Sequence, residues 1–215
     1  MSASTITRLQ QHGLDVISLA AIEEIFPIGF RHPTEVAERA IALHALLGVI
    51  FHPNPREVSE WIRAEDFYQE LTEREKWAFS ITELADEEMQ WRQAALQSNL
   101  LTWRAESLYV LLWASGRIPN LLEPDERMDG SMVVDHLPAL GEPLQPFIRE
   151  FTLRPREEIL AELHYYFFLD DFEEEIFEHC AETAGDWEPM LVAERLHALQ
   201  WLASADRPEW DGAEE

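Results

Sequence analysis

The sequence predicts an all-α protein, mainly helical and arranged as an irregular bundle. Three observations predict it: helix-start signatures recur along the chain, apolar residues return every three or four positions between them, and helix breakers are dense in one stretch. The prediction is of one helical domain over residues 1–215, with no second hydrophobic core. A Pro-rich connection falls at about 117–147, and an acidic C-terminal helical part at about 153–205.

The elements follow in order. From Pro33 to Phe51, Val36, Ala40, Leu43, Leu47 and Ile50 form one apolar stripe at helical spacing, so this helix is expected in the core. Asn54-Pro55 places proline at the first position of the next helix, and Thr72-Glu73-Arg74-Glu75 reads as a capping box opening another. From about Asp86 to Gly116 the pattern is again helical, with a break near Ser98-Asn99. Ser107 to Ser115 is apolar nearly all round, as for a helix covered on every side, and Gly116 is a natural stop.

Between Gly116 and Phe147, Pro119, Pro124, Pro138, Pro143 and Pro146 with Gly130 and Gly141 exclude any long helix. The apolar Met132-Val133-Val134 is read there as a short strand. Arg154-Pro155-Arg156-Glu157-Glu158 then opens a helix that runs through Tyr165, Tyr166, Phe167 and Phe168. A last helix is expected from about Glu188 to Ala203, followed by a frayed tail from Trp210.

Composition narrows the function. With 47% hydrophobic residues the chain has ample material for a core. The longest apolar run in its middle, Leu108 to Ala114, falls far short of the roughly 20 residues a membrane-spanning helix needs. No secretory signal is visible at Met1-Ser2-Ala3-Ser4-Thr5, and Cys180 is the only cysteine, so a cytoplasmic protein without an internal disulfide or thiolate zinc site is expected.

Charge is the outlying property: 42 acidic against 16 basic residues give a formal −26. Lys76 is the single lysine and the other 15 bases are arginines, the type suited to paired and stacked roles. From Glu157 to Glu215 there are 18 acids and only Arg195 and Arg207, so this end carries −16 of the total. Such a field repels nucleic acid and anionic lipid and attracts a basic protein.

Two helices carry the same step, Val36-Ala37-Glu38-Arg39 and Val192-Ala193-Glu194-Arg195, each within apolar sequence. With Arg104 and Glu106 on the apolar central helix, and His197, they are the candidates for a buried polar cluster, because buried charge must be paired and hydrogen-bonded. Neighbours in sequence diverge around a helix, so each Glu is expected to meet an Arg of another helix. Two readings stand: a structural ion-pair network tying three helices together, and a polar pocket for a small anionic ligand.

Glu194-Arg195-Leu196-His197 has the Glu-x-x-His spacing of di-iron bundles, but those need two copies and further Glu residues, and only one copy is present. No nucleophile elbow, phosphate loop or His-Glu-x-x-His occurs. No cofactor, no metal and no catalytic residue is therefore assigned. The second candidate surface is the acidic run Asp170, Asp171, Phe172, Glu173, Glu174, Glu175, Ile176, Phe177, Glu178. Read blandly it is a solvated face over a core stripe; read functionally, Phe172 or Phe177 anchors a partner whose basic residues meet the carboxylates.

Four pieces of the chain carry a resemblance: Glu35 to Leu43, Trp103 to Gly116, Leu153 to Ile159, and Val192 to Leu202. Together they resemble the uncharacterised bacterial family catalogued as domain of unknown function 4272. Two departures are visible: Tyr165-Tyr166-Phe167-Phe168-Leu169 stands where relatives tend to show Tyr-Arg and His-Trp, and no Asp-Thr follows Trp210-Asp211. The resemblance implies a helical fold and a bacterial source, and brings no activity or catalytic residue with it.

The expectation is accordingly a non-enzymatic acidic binding protein that neutralises a basic protein partner, in the manner of an immunity protein facing a cognate toxin such as a nuclease. The alternative is a metal- or small-ligand-dependent enzyme or sensor built on the Glu/Arg/His cluster. Neither direct nucleic-acid binding nor membrane association is expected.

Overall fold

A computed structural model describes residues 3–11, 29–171, 188–205 and 210–211. Among these residues there are ten α-helices and no strand, so the all-α expectation holds. The helices are α1 (Ala3–Gln11), α2 (Pro33–Phe51), α3 (Pro55–Ala64), α4 (Glu73–Phe79), α5 (Asp86–Leu96), α6 (Arg104–Ala114), α7 (Ser131–Val134), α8 (Leu144–Glu150), α9 (Arg156–Asp171) and α10 (Pro189–Leu202). None is long and apolar enough to cross a membrane.

The ends of the central helices are fixed by local chemistry. At the start of α2, Pro33 sits in the first turn and the His32 N–H donates to Glu35 Oε2 at 2.8 Å. At its other end the carbonyls of Val49 and Ile50, orphaned where the helix stops, accept from the side-chain amides of Gln93 in α5 and of Gln97 at its C-cap, each at 3.0 Å. At the C-terminus of α6, Gly116 adopts φ +79°, the Gly116 N–H reaches back to the Trp113 carbonyl and the Arg117 N–H to that of Leu112. Arg154 completes that end by donating its Nε to the Trp113 carbonyl at 2.6 Å.

Helix α2 is buried on most of its circumference and touches α3, α4, α5, α6 and α8. Helix α6, buried along nearly its whole length, turns its other side to α10, which packs on α9, which in turn carries α1. The order of contact is thus α1, α9, α10, α6, α2 and then the shorter helices. Arg8 fastens α1 to α9 through a 2.7 Å bond to Glu162 and by lying over the Tyr165 ring. An isolated parallel bridge between Gly29 and Ser204 ties the approach to α2 to the exit from α10.

Two expectations are corrected. Met132-Val133-Val134 is not a strand but part of the one-turn helix α7. Asp129 Oδ1 accepts from both the N–H and the hydroxyl of Ser131, at 2.9 and 2.6 Å, which turns the chain locally. No strand lies among the described residues to offer the segment a ladder, so the Met132 N–H bonds back to the Asp129 carbonyl and those of Val133 and Val134 to the Gly130 carbonyl. Nor is Trp210 frayed: it is 3% exposed. Its ring meets those of His197 and Trp201 edge to face, at 4.6 and 5.2 Å between centroids.

Candidate functional site

The polar candidates separate into two groups. Arg104, Glu106 and Ser107 stand in the first turn of α6, and Glu194 and Arg195 face them from α10. Because sequence neighbours diverge around a helix, the partners exchange crosswise. Arg104 Nη1 bonds to both oxygens of Glu194, at 3.3 and 3.2 Å, and Ser107 Oγ lies 2.7 Å from Glu194 Oε2. Arg195 donates from Nε and Nη2 to Glu106 Oε2, both at 2.9 Å, with the two side chains 0% and 1% exposed.

The remaining donors of Arg195 organise the connection that follows α6. They reach the carbonyls of Leu122 and Glu126 and the Tyr166 hydroxyl, each at 2.8 Å, and the Glu123 carbonyl at 3.2 Å. Glu106 Oε1 accepts from the Met128 N–H at 2.9 Å. Burial pushes the Tyr166 hydroxyl up to about 12 despite the neighbouring guanidinium, so it stays protonated at neutral pH. Charge, burial and hydrogen bonding close on one another here, which is the arrangement that makes buried ions tolerable. The cluster is a clamp that fixes an irregular loop to a helix pair.

The Glu38-Arg39 step does not enter this exchange, so the expected network across three helices divides in two. Arg39 pairs with Glu75 of α4, both side chains buried. Glu75 thereby serves twice, since it also closes the capping box with Thr72. Trp210 stands between the two halves, its ring beneath the guanidinium carbons of Arg39 and Arg104, at 5.1 and 5.6 Å from the centroid. Asp211 follows, its carboxylate 3.7 Å from Arg104 Nη2.

Outside Arg39 opens a cleft of about 460 Å³ between α2, the start of α4, the end of α10 and Trp210. Its walls bring Glu35, Glu38, Glu70, Glu73 and Asp211 together with Trp201. Arg31 stacks over Trp201, 4.2 Å from the ring centroid, and stands 3.5 Å from Glu35. Partial burial, then the charges of Glu70 and Glu35, hold the Glu38 carboxyl above the usual range. Arg39 Nε and Trp210 Nε1 are buried donors without a hydrogen-bond partner among the described residues.

The sequence profile of DUF4272, a domain of unknown function, matches residues 1–213. The chain belongs to the DUF4272 family. Both the clamp and the cleft therefore lie within the family's domain. No curated protein and no solved structure matches the chain.

In this DUF4272 protein His197 does not join a metal set. Its ring packs on Trp210, and burial first, then the Arg104 charge, pushes it down to about 4, leaving it neutral. Among the described residues no group of three His, Cys, Asp or Glu side chains is close enough to hold a metal ion. Of the acidic run, Asp170 and Asp171 are exposed at the end of α9, with Asp170 raised by partial burial and then by Asp171. Phe172, Glu173, Glu174, Glu175, Phe177 and Glu178 lie outside the described residues.

Other features had no usable signal in the sequence. Trp77 and Trp91 are 56% and 66% exposed, on α4 and α5, with Leu100 nearby in sequence at 58%. Tryptophan in an amphipathic helix reads as core by default, so their exposure is visible only once the helices are placed. A second cavity of about 450 Å³ lies under residues 134–142. There His44 Nε2 and Trp61 Nε1 bond to the carbonyls of Pro138 and Glu142, at 3.1 and 2.8 Å, so these two side chains hold the loop down.

Proposed function

We propose that this DUF4272 protein is a non-enzymatic binding protein that captures and neutralises a basic protein, in the manner of an immunity protein covering the cationic surface of a toxin such as a nuclease. One observation carries the reading: a net charge of −26 on a chain whose buried Glu and Arg side chains are engaged with one another. Charge of that size governs association, by steering an oppositely charged partner and rejecting anionic ones. The Arg104, Glu106, Glu194 and Arg195 groups on which an enzyme was the alternative reading are held in the clamp, and this supports binding over turnover. Exposed Trp77 and Trp91 supply the apolar anchors that a charge-steered interface also needs.

The test is native co-purification from the source cell at low ionic strength, eluted along a salt gradient and read by mass spectrometry. A basic protein in stoichiometric amount, released by salt, is the expected result. A neutral or acidic partner that resists high salt overturns the reading.

A further inference from the structure

We infer that the cavity between α2, α3 and the 134–142 loop is a binding site for a small, uncharged aromatic molecule that carries an N–H or O–H donor. The cavity measures about 450 Å³, within the roughly 300–1,000 Å³ of small-molecule sites. Val58, Trp61, Leu137, Pro138 and Leu140 make its walls largely apolar. Its roof is fixed by the chain itself, through the bonds of His44 and Trp61 to the Pro138 and Glu142 carbonyls. The apolar lining also reaches solvent: Val134 and Leu140, both on the wall, are 53% and 40% exposed. An occupant that covers them removes apolar surface from water.

The polar groups of the wall define what the occupant offers. His44, Gly48 and His52 stand four residues apart and so share one face along the end of α2. A carbonyl cannot donate, so His44 Nε2 carries the proton in its bond to Pro138 and Nδ1 is left as an acceptor. That Nδ1 has no hydrogen-bond partner among the described residues. Burial holds the half-buried ring below its ordinary value, which keeps it neutral. A donor on the occupant satisfies such an acceptor. His52 engages its Nδ1 with the Asn54 backbone and leaves Nε2 without a partner, a second polar point on the same face.

Charge and size narrow the class. No Lys or Arg lines the cavity, so an anion would meet Asp135 and Glu142 and find no counter-ion. A cation gains little from those two carboxylates, because both are exposed to water and Glu142 already accepts from the Ala139 N–H at 2.9 Å. A neutral molecule remains. An apolar cavity of roughly 150 Å³ holds one benzene ring, so a space about three times larger takes a fused ring pair. The Trp61 ring, edge to face with His44 at 5.9 Å between centroids, gives that pair an aromatic wall.

The probe is indole, a fused ring pair with a single N–H, titrated calorimetrically into the full chain. Saturable binding at one site is expected. N-methylindole keeps the rings without the donor and should bind about tenfold more weakly; the indolecarboxylate anion should not saturate. Ala139→Trp sets a large ring in the cavity wall and should abolish indole binding. Residue 139 is exposed and its N–H still reaches Glu142, so the variant should melt as wild type does.

Absence of saturable indole binding, equal affinity for N-methylindole, tighter binding of the anion than of indole, or indole binding that survives Ala139→Trp overturns the inference. If Ala139→Trp does not fold, the comparison of indole with N-methylindole on the wild-type chain decides alone. The inference goes beyond capture of a basic protein. None of these readouts involves such a partner, so their failure leaves the proposed function standing.

Discussion

Arg195 shows how a charged side chain becomes structural. Fully buried, it spends its guanidinium on a carboxylate, a hydroxyl and three carbonyls, so its removal strands several groups at once. Glu106→Ala leaves that guanidinium buried without its counter-ion, and a loss of about 3–5 kcal/mol is expected in denaturant unfolding. A loss below about 1 kcal/mol would mean that the pair is not buried as described. His197 gives a pH signature. Its folded-state value near 4 lies below the ordinary 6.5, so the unfolded chain binds a proton first as pH falls. Its contribution is present above about pH 6.5 and is lost as pH drops towards 4. Wild type should therefore lose stability relative to His197→Asn across that window, by up to about 3 kcal/mol; a difference flat in pH refutes the assignment.

The sequence disclosed these side chains unevenly. Glu106, Glu194 and Arg195 stood out because charge embedded in apolar helix has to be paired, and the divergence of neighbours on a helix correctly sent each to another helix. That Arg39 would pair with Glu75 was hidden, since Glu75 already had a sufficient explanation as a cap. Trp210 was misjudged because a short stretch rich in Asp, Glu and Gly carries no periodicity, and only the surroundings of His197 and Trp201 give it somewhere to pack.

Helix boundaries were the most legible features, because caps are local chemistry. Pro33, Pro55, the Thr72 box and Gly116 all mark real ends. Gly116→Ala forces a side chain into the left-handed region where Gly116 sits in open space, so backbone conformation alone sets the cost, about 1 kcal/mol of unfolding free energy, read from a lower denaturant midpoint. A neutral effect would show that the helix end can rearrange. The segment 132–134 failed as a strand for a reason that no local pattern contains: strands need neighbours, and the chain provides none among the described residues. Its apolar triplet serves instead to bury Val133 beneath a turn made by Asp129.

Across the chain the arginines and the acids do different work. Arg56, Arg154 and Arg195 point into carbonyls and lock loops onto helices, as their forked geometry allows. Most acids among the described residues are exposed, and like charges at a surface repel one another. Screening by salt should therefore raise the melting temperature of the isolated protein between low ionic strength and about 0.5 M; a fall would mean that surface attractions outweigh the repulsion. The same acids should make association with a basic partner fast and salt-sensitive.

The measurement that tests this most directly is the affinity of the purified protein, at a series of salt concentrations, for the basic protein that co-purification is expected to yield. The dissociation constant should rise at least about tenfold between about 0.05 and 0.5 M salt, chiefly through slower association. An affinity unchanged across that range would contradict the account, since the charge would then play no part in binding.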